Sequence, residues 1–208
     1  MIRVVFFDYD GVLTTDRTGS LTTCRYISAT SGIPLDRVQR AFATHNRELT
    51  IGSMTYSQAW PQICAELDSL LSIDLLQDAF DSTPINSHVF ELARRLRPAC
   101  GVGIITDNKS DRMRRLRAVQ SLDDLFDPIV VSADLGCSKD SESIFRHACA
   151  LAGVEPRECV FIDNTPEHAA RAASIGMHAL HFDDGLNDVD ALARRLTGEF
   201  GLPALQDS

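Results

Sequence analysis

Asp8 and Asp10 stand in the run Val4-Val5-Phe6-Phe7-Asp8-Tyr9-Asp10-Gly11-Val12-Leu13-Thr14. Val4 to Phe7 reads as a buried strand that runs straight into two carboxylates and a glycine. A buried strand gains nothing by ending in like charges, which repel each other and lose hydration. A divalent cation removes that cost. Carboxylates and a backbone carbonyl are the oxygen ligands that Mg²⁺ prefers. The spacing therefore predicts metal-assisted chemistry with a carboxylate as nucleophile.

Three further polar signals fall just beyond an apolar stretch or ahead of a helix. Thr106 closes Gly103-Ile104-Ile105-Thr106-Asp107-Asn108. Lys139 lies in Cys137-Ser138-Lys139-Asp140. Asp163-Asn164 closes Val160-Phe161-Ile162. Each has a plain structural alternative. Asp10-Gly11 suits a turn, and Thr106 or Asn108 suits a helix N-cap. Asp163-Asn164 suits a cap before Thr165-Pro166. Lys139 suits a solvated surface, although a cation just before a helix opposes the macrodipole unless an anion is bound there.

The elements that must position these residues alternate in type. Strands are expected at Val4–Phe7, Gly101–Thr106, Pro128–Ser132, Glu158–Asp163 and Met177–Phe182. Helices are expected at Val89–Leu96, Ser110–Gln120, Ser141–Ala152, Pro166–Ile175 and Asp188–Leu196. Continuous apolar strands alternating with helices predict an α/β fold, a Rossmann-like parallel sheet with helices on both faces. Such sheets bind ligands at the carboxyl ends of their strands, so the four polar signals are expected to meet. The stretch after Thr14 breaks the alternation. Helical patterns at Cys24–Ser31, Asp36–His45, Tyr56–Leu67 and Asp74–Phe80, with Pro61 in a first turn or at a kink, contain no convincing strand. That is more chain than a βα crossover needs. It predicts an α-helical cap at 15–82 inserted into a core made of 1–14 and 83–208.

A chain of 208 residues, 44% hydrophobic and 24% charged, has the composition of a soluble globular domain. Its net charge of −9 argues against nucleic acid or an anionic membrane as partner. No apolar run approaches the ~18 residues of a membrane span, and the first residues lack a signal-peptide layout. The six cysteines form no Cys-x-x-Cys pair and read as reduced, buried side chains of a cytoplasmic protein. Only Lys109 and Lys139 are lysines among 20 basic residues, which suggests a choice for the compact ammonium. The histidines at 88, 147, 168, 178 and 181 show no metal-ligand spacing.

Taken together and in this order, the motifs resemble those of the haloacid dehalogenase (HAD) superfamily, in its phosphatases with a small helical cap. Asp8-Tyr9-Asp10-Gly11-Val12 is similar to the first motif of that family, Thr106 to the second, Lys139 to the third and Asp163 to the fourth. The resemblance implies a Mg²⁺-dependent phosphomonoesterase acting on a small phosphorylated metabolite such as a sugar phosphate. Asp8 would attack phosphorus to give an aspartyl-phosphate, and Asp10 would serve as general acid and base. Asp8, the Asp10 carbonyl and Asp163 would hold Mg²⁺. Thr106 and Lys139 would hold the phosphate oxygens, helped by backbone N–H groups near Gly11.

Three departures stand out. Asp107 replaces an expected Asn and raises the question of its partner, with Lys109 either that partner or a solvent-facing loop residue. Asp140 follows Lys139 where Pro is usual, which an N-cap role would explain. Asn164 replaces a second acid. Thr14, Thr15, Asp16, Arg17, His45, Asn46 and Arg47 are candidates for the entrance, and Tyr56 and Trp60 for the cap core. Alternatives are a phosphomutase of the same family and a phospho-accepting signalling domain. A dehalogenase has no use for Asp10 or a metal, and a phosphonate hydrolase would want a cap lysine, which 15–82 lacks. The expected partner is a small metabolite, with the chain a monomer or homodimer.

Overall fold

A computed structural model describes residues 1–204. Five parallel strands form one sheet in the order β3-β2-β1-β4-β5. They are β1 (Val4–Phe7), β2 (Gly101–Thr106), β3 (Ile129–Val131), β4 (Cys159–Asp163) and β5 (His178–His181). The central strand, β1, is covered on both sides. Val5 and Phe7 point into one apolar cluster with Val102, Ile104, Val160 and Ile162. Val4 and Phe6 point into another with Ile105, Phe161 and Phe145. This is the period-two alternation of a strand sandwiched between helices. The first cluster is closed by α6 (Ser87–Leu96), α7 (Ser110–Gln120) and α11 (Val189–Phe200), the second by α9 (Glu142–Ala152) and α10 (Pro166–Ser174).

Register aims the site. Phe7 pairs with Ile104 on one side and Ile162 on the other. One step further along the strands sets Asp8 level with Asp163, and the Asp8 N–H donates to the Ile162 carbonyl at 2.8 Å. Beyond Asp8 the backbone tightens into the turn Tyr9–Leu13, where Gly11 has φ +82°. A Cβ there would also lie 2.1 Å from Asn164 Nδ2, so glycine is required twice over.

Helices α1 (Gly19–Ser31), α2 (Leu35–Thr44), α3 (Asn46–Thr50), α4 (Tyr56–Glu66) and α5 (Ile73–Asp81) follow β1. They carry their own apolar cluster, with Ile27, Phe42, Tyr56, Trp60, Ile63 and Phe80. The chain leaves and returns along adjacent paths. Thr15 N–H donates to the Pro84 carbonyl and Asn86 N–H to the Leu13 carbonyl, at 3.1 and 2.8 Å. The inserted helices dock on the sheet domain through a few polar contacts. The Tyr56 N–H, in the first turn of α4, donates to Asp111 Oδ2 at 3.0 Å, and Arg115 pairs with Asp81 at 2.5 Å. Ser132 opens α8 (Ser132–Leu135). Its Oγ lies 2.7 Å from the Thr50 carbonyl and 3.1 Å from the Asn108 carbonyl, and accepts the Asn108 N–H at 2.9 Å.

Several element ends differ from expectation for local reasons. Helix α1 starts five residues earlier than its apolar pattern, at Gly19 rather than Cys24, because Thr18 caps it by accepting from Leu21 N–H. Pro61 sits inside α4, not in its first turn. Helix α9 is capped by Ser141, which accepts from Ser143 N–H. Asp140 is therefore not the cap, and its carboxylate faces the Ser138 hydroxyl at 3.2 Å.

Candidate active site

The carboxyl ends of β1, β2 and β4 open into a cavity of about 690 Å³. Lys139 Nζ stands between two carboxylates, donating to Asp163 Oδ2 at 2.7 Å and ion-paired with Asp8 Oδ2 at 2.8 Å. All three side chains are buried. The other oxygen of each acid is also engaged: Asp8 Oδ1 accepts Tyr9 N–H and Asp163 Oδ1 accepts Thr165 N–H, both at 2.7 Å. Burial pushes the Asp8 carboxyl up to about 7, with the neighbouring Asp163 adding to the rise and Lys139 opposing it. At Asp163 burial also opposes the charge, but Lys139 and His168 outweigh it and hold this carboxyl below its usual range. Two buried acids share one ammonium, which is why the Asp8 carboxylate is disfavoured in the absence of a further cation.

Thr106 is buried at the end of β2 and lines the same cavity. Asp107 does not pair with Lys109. It accepts the Lys139 backbone N–H at 2.8 Å and lies 3.9 Å from His168 Nε2. That answers how an extra acid is tolerated here: it anchors the loop carrying Lys139. Asn164 is buried and lines the cavity beside Gly11. The Gly11 N–H is not free to cradle an anion, since it donates to Thr14 Oγ1 at 3.1 Å.

Asp10 is held by residues that sequence reasoning missed. Arg112 Nη1 donates to its Oδ2 at 2.8 Å and Nη2 to its Oδ1 at 2.9 Å, while Asn108 Nδ2 donates to Oδ2 at 2.9 Å. Arg112 is 1% exposed, the largest fully buried side chain. It also donates to Asn108 Oδ1 and Thr83 Oγ1, and lies over the Tyr9 ring. A two-pronged guanidinium contact of this kind fixes carboxylate orientation as a lysine could not. Gly19 makes room for it, because a Cβ there would lie 2.2 Å from the guanidinium carbon. One signal was available. In the arginine-rich α7, positions 112, 116 and 120 lie on one helical stripe, and Leu116 and Gln120 face inward, Gln120 to accept the Tyr9 hydroxyl at 2.6 Å. His168 was read as structural or exposed, yet it lines the cavity with Nδ1 3.5 Å from Asp163 Oδ2. Of the entrance candidates, Arg17 and Asn46 line the cavity. His45 is buried and faces Glu66 at 3.7 Å instead. Tyr56 and Trp60 are in the inserted cluster as expected, and Tyr56 also reaches the cavity.

Residues 2–176 match the family of haloacid dehalogenase-like hydrolases. The chain belongs to that family. Among solved structures, this HAD-like chain is similar to a predicted HAD-like family hydrolase from Porphyromonas gingivalis. The two share 26% identity with a TM-score of 0.75, over 94% of this chain and 98% of the other. It also shares its fold with a HAD family enzyme from Bacteroides thetaiotaomicron, solved in complex with magnesium and inorganic phosphate. There the identity is 18% and the TM-score 0.69, over 89% of this chain and 96% of that one. Among curated proteins, the phosphoserine phosphatase of Thermus thermophilus is 27% identical over 100 residues, or 48% of this chain and 40% of that protein. The match thus spans well under half of that relative. Among the described residues, no three His, Cys, Asp or Glu side chains form a metal-binding group, and no helix is long and apolar enough to cross a membrane.

Proposed function

We propose that this HAD-like hydrolase is a Mg²⁺-dependent phosphomonoesterase that acts on a small phosphorylated metabolite through an aspartyl-phosphate. The observation that carries the reading is the Asp8–Lys139–Asp163 triplet, in which Asp8 and Lys139 open with Thr106 on one cavity and Asp163 is buried behind them. The magnesium and phosphate bound by the Bacteroides enzyme and the activity of the Thermus relative support it. The inserted segment 15–82 is the proposed cap over a core of 1–14 and 83–208.

The donors suit a hard cation. Asp8, Asp163 and the Asp10 carbonyl offer only oxygen, and the raised Asp8 carboxyl beside Asp163 marks a place where a second cation would favour both carboxylates. These two side chains and one main-chain oxygen would hold Mg²⁺, which needs no third side chain because this ion keeps several waters. The bound ion would supply charge neutralisation around the transferring group.

The residues divide the remaining work. Asp8 attacks phosphorus in line, the ester oxygen leaves, and water later cleaves the acyl phosphate. Lys139 and the Thr106 hydroxyl bind non-bridging oxygens. Asp10 delivers a proton to the departing oxygen and recovers one from the attacking water. Both Asp10 oxygens accept N–H bonds from Arg112 or Asn108, so donating a proton requires it to give up part of that clamp. Arg112 thereby becomes a positioning residue for Asp10.

The test is phosphate release from p-nitrophenyl phosphate. Mg²⁺ should support turnover, EDTA should lower it about a thousandfold, and added Mg²⁺ should restore it. Full turnover in chelator would end the metal assignment. Stoichiometric labelling without continued release would favour the phospho-accepting domain instead.

A further inference from the structure

Three cationic side chains are buried along the cavity: Lys139, Arg112 and Lys109. Two are matched. Lys139 lies between Asp8 and Asp163, and Arg112 grips Asp10. Lys109 is different. It is 9% exposed and lines the cavity, yet among the described residues its ammonium has no hydrogen bond or ion pair. The cavity's acids are committed elsewhere: Asp8 to Lys139, Asp10 to Arg112, and Asp107 to the Lys139 backbone. The side chain is largely buried while Nζ keeps access to the cavity, and holding an ammonium in such a recess without an anion is costly. The cost is visible here, since burial, with Arg112 adding repulsion, lowers the Lys109 ammonium to about 8. The chain otherwise writes positive charge almost entirely as arginine.

A second cation faces the same space. Arg17 is exposed, lines the cavity from the inserted segment, and among the described residues pairs with no acid. Once the committed pairs are set aside, the surplus charge beyond Asp8, Thr106 and Lys139 is therefore positive. A phosphate seated on Thr106 and Lys139 does not need it.

We infer that Lys109, aided by Arg17, binds a second anionic group on the substrate, so that the preferred esters carry a carboxylate or a second phosphate besides the phosphate that is removed. This rests on the phosphomonoesterase reading of the site. An ammonium is suited to either anion, as a compact charge that both can share. Desolvation makes the contact count, because an ion pair in a water-poor pocket is less screened than one at the surface. A neutral leaving group would leave Lys109 unmatched.

The experiment compares kcat/KM for propyl phosphate, phosphoglycolate and 1,3-propanediol bisphosphate, with p-nitrophenyl phosphate as control, in the wild type, Lys109→Met and Arg17→Gln. The wild type should prefer at least one ester with a second anionic group over propyl phosphate by on the order of tenfold or more. Which ester wins separates carboxylate from phosphate as the natural group. Lys109→Met should remove most of that preference, chiefly through KM, and Lys109→Arg should restore part of it. Arg17→Gln, at an exposed position, should lower the preference by a smaller factor. An unaltered preference in both Lys109→Met and Arg17→Gln overturns the inference. So does an equal loss on all four esters in Lys109→Met, which would give Lys109 to the transferred phosphate. A wild type that hydrolyses p-nitrophenyl phosphate but shows no preference overturns it while leaving the phosphatase reading standing. No hydrolysis of any ester with Mg²⁺ present defeats the phosphatase reading instead.

Discussion

The cavity has two unlike halves. On the sheet side, the ionisable groups are buried or nearly so and held in two sets at 2.7–2.9 Å, Lys139 with Asp8 and the enclosed Asp163, and Arg112 with Asp10. On the side of the inserted helices, Ser20, Leu21, Gln39, Phe42, Asn46 and Tyr56 are neutral, and Arg17 is the only charged residue that segment contributes. The contrast separates two tasks. Groups that stabilise a transferring phosphoryl must be fixed before substrate arrives, because reorganising charges during reaction raises the barrier. Groups that choose among leaving groups need only match shape and a few polar points. Lys109 belongs to the first half by chain position and to the second by its open ammonium.

The largest blow to the charged half should come from Asp8→Asn. Turnover of p-nitrophenyl phosphate is expected to fall about 10⁴-fold or more, with the circular dichroism spectrum of the wild type, since Lys139 keeps Asp163 as partner. Residual turnover within tenfold of wild type would remove Asp8 from the role of nucleophile.

Arg112→Met asks whether the charged half is one unit. It strands Asp10 and Asn108, so stability in urea should drop by about 3–5 kcal/mol, and kcat by about 10²-fold through loss of Asp10 alignment. If kcat holds while stability falls, Arg112 is a structural pin and Asp10 orients itself.

The smallest expected effect sharpens the boundary between the halves. Lys109 is lowered to about 8 by burial first and Arg112 second, from 10.5 in the open chain. Its charged form is therefore lost in the folded protein as pH rises through about 8. The preference for an ester with a second anionic group over propyl phosphate should fall about tenfold between about pH 7 and 9. The sign for stability is the reverse. The unfolded chain binds the proton more tightly between 8 and 10.5, so this group's contribution favours the folded state increasingly as pH rises across that window. A preference that does not move with pH would detach Lys109 from substrate choice.

Sequence alone placed Asp8, Thr106, Lys139 and Asp163 at one edge of a parallel sheet. Strand alternation and the rule that such sheets are used at their carboxyl ends suffice for that. Arg112 and Asn108 were not legible in the same way. They hold Asp10 from a helix and a loop whose composition matches a solvated surface, and burial of an arginine depends on a partner 102 residues away. Lys109 illustrates the same limit. Its neighbours in sequence are polar, so it reads as exposed, whereas the folded chain leaves it 9% exposed. The early start of α1 was hidden because its first turn packs Gly19 on the Arg112 guanidinium instead of presenting apolar side chains. The short helices α3 and α8 fell below the length at which periodicity carries a signal.

Ser132 carries one proton and has two carbonyls within reach, Thr50 on the inserted helices at 2.7 Å and Asn108 on the loop after β2 at 3.1 Å. Should the two layers part to let a metabolite in, the hydroxyl can rotate from the first acceptor to the second without going unbonded. Swinging open at that point exchanges one bond for another, and the loop behind Thr106 gains a tether at the moment the site is exposed to water.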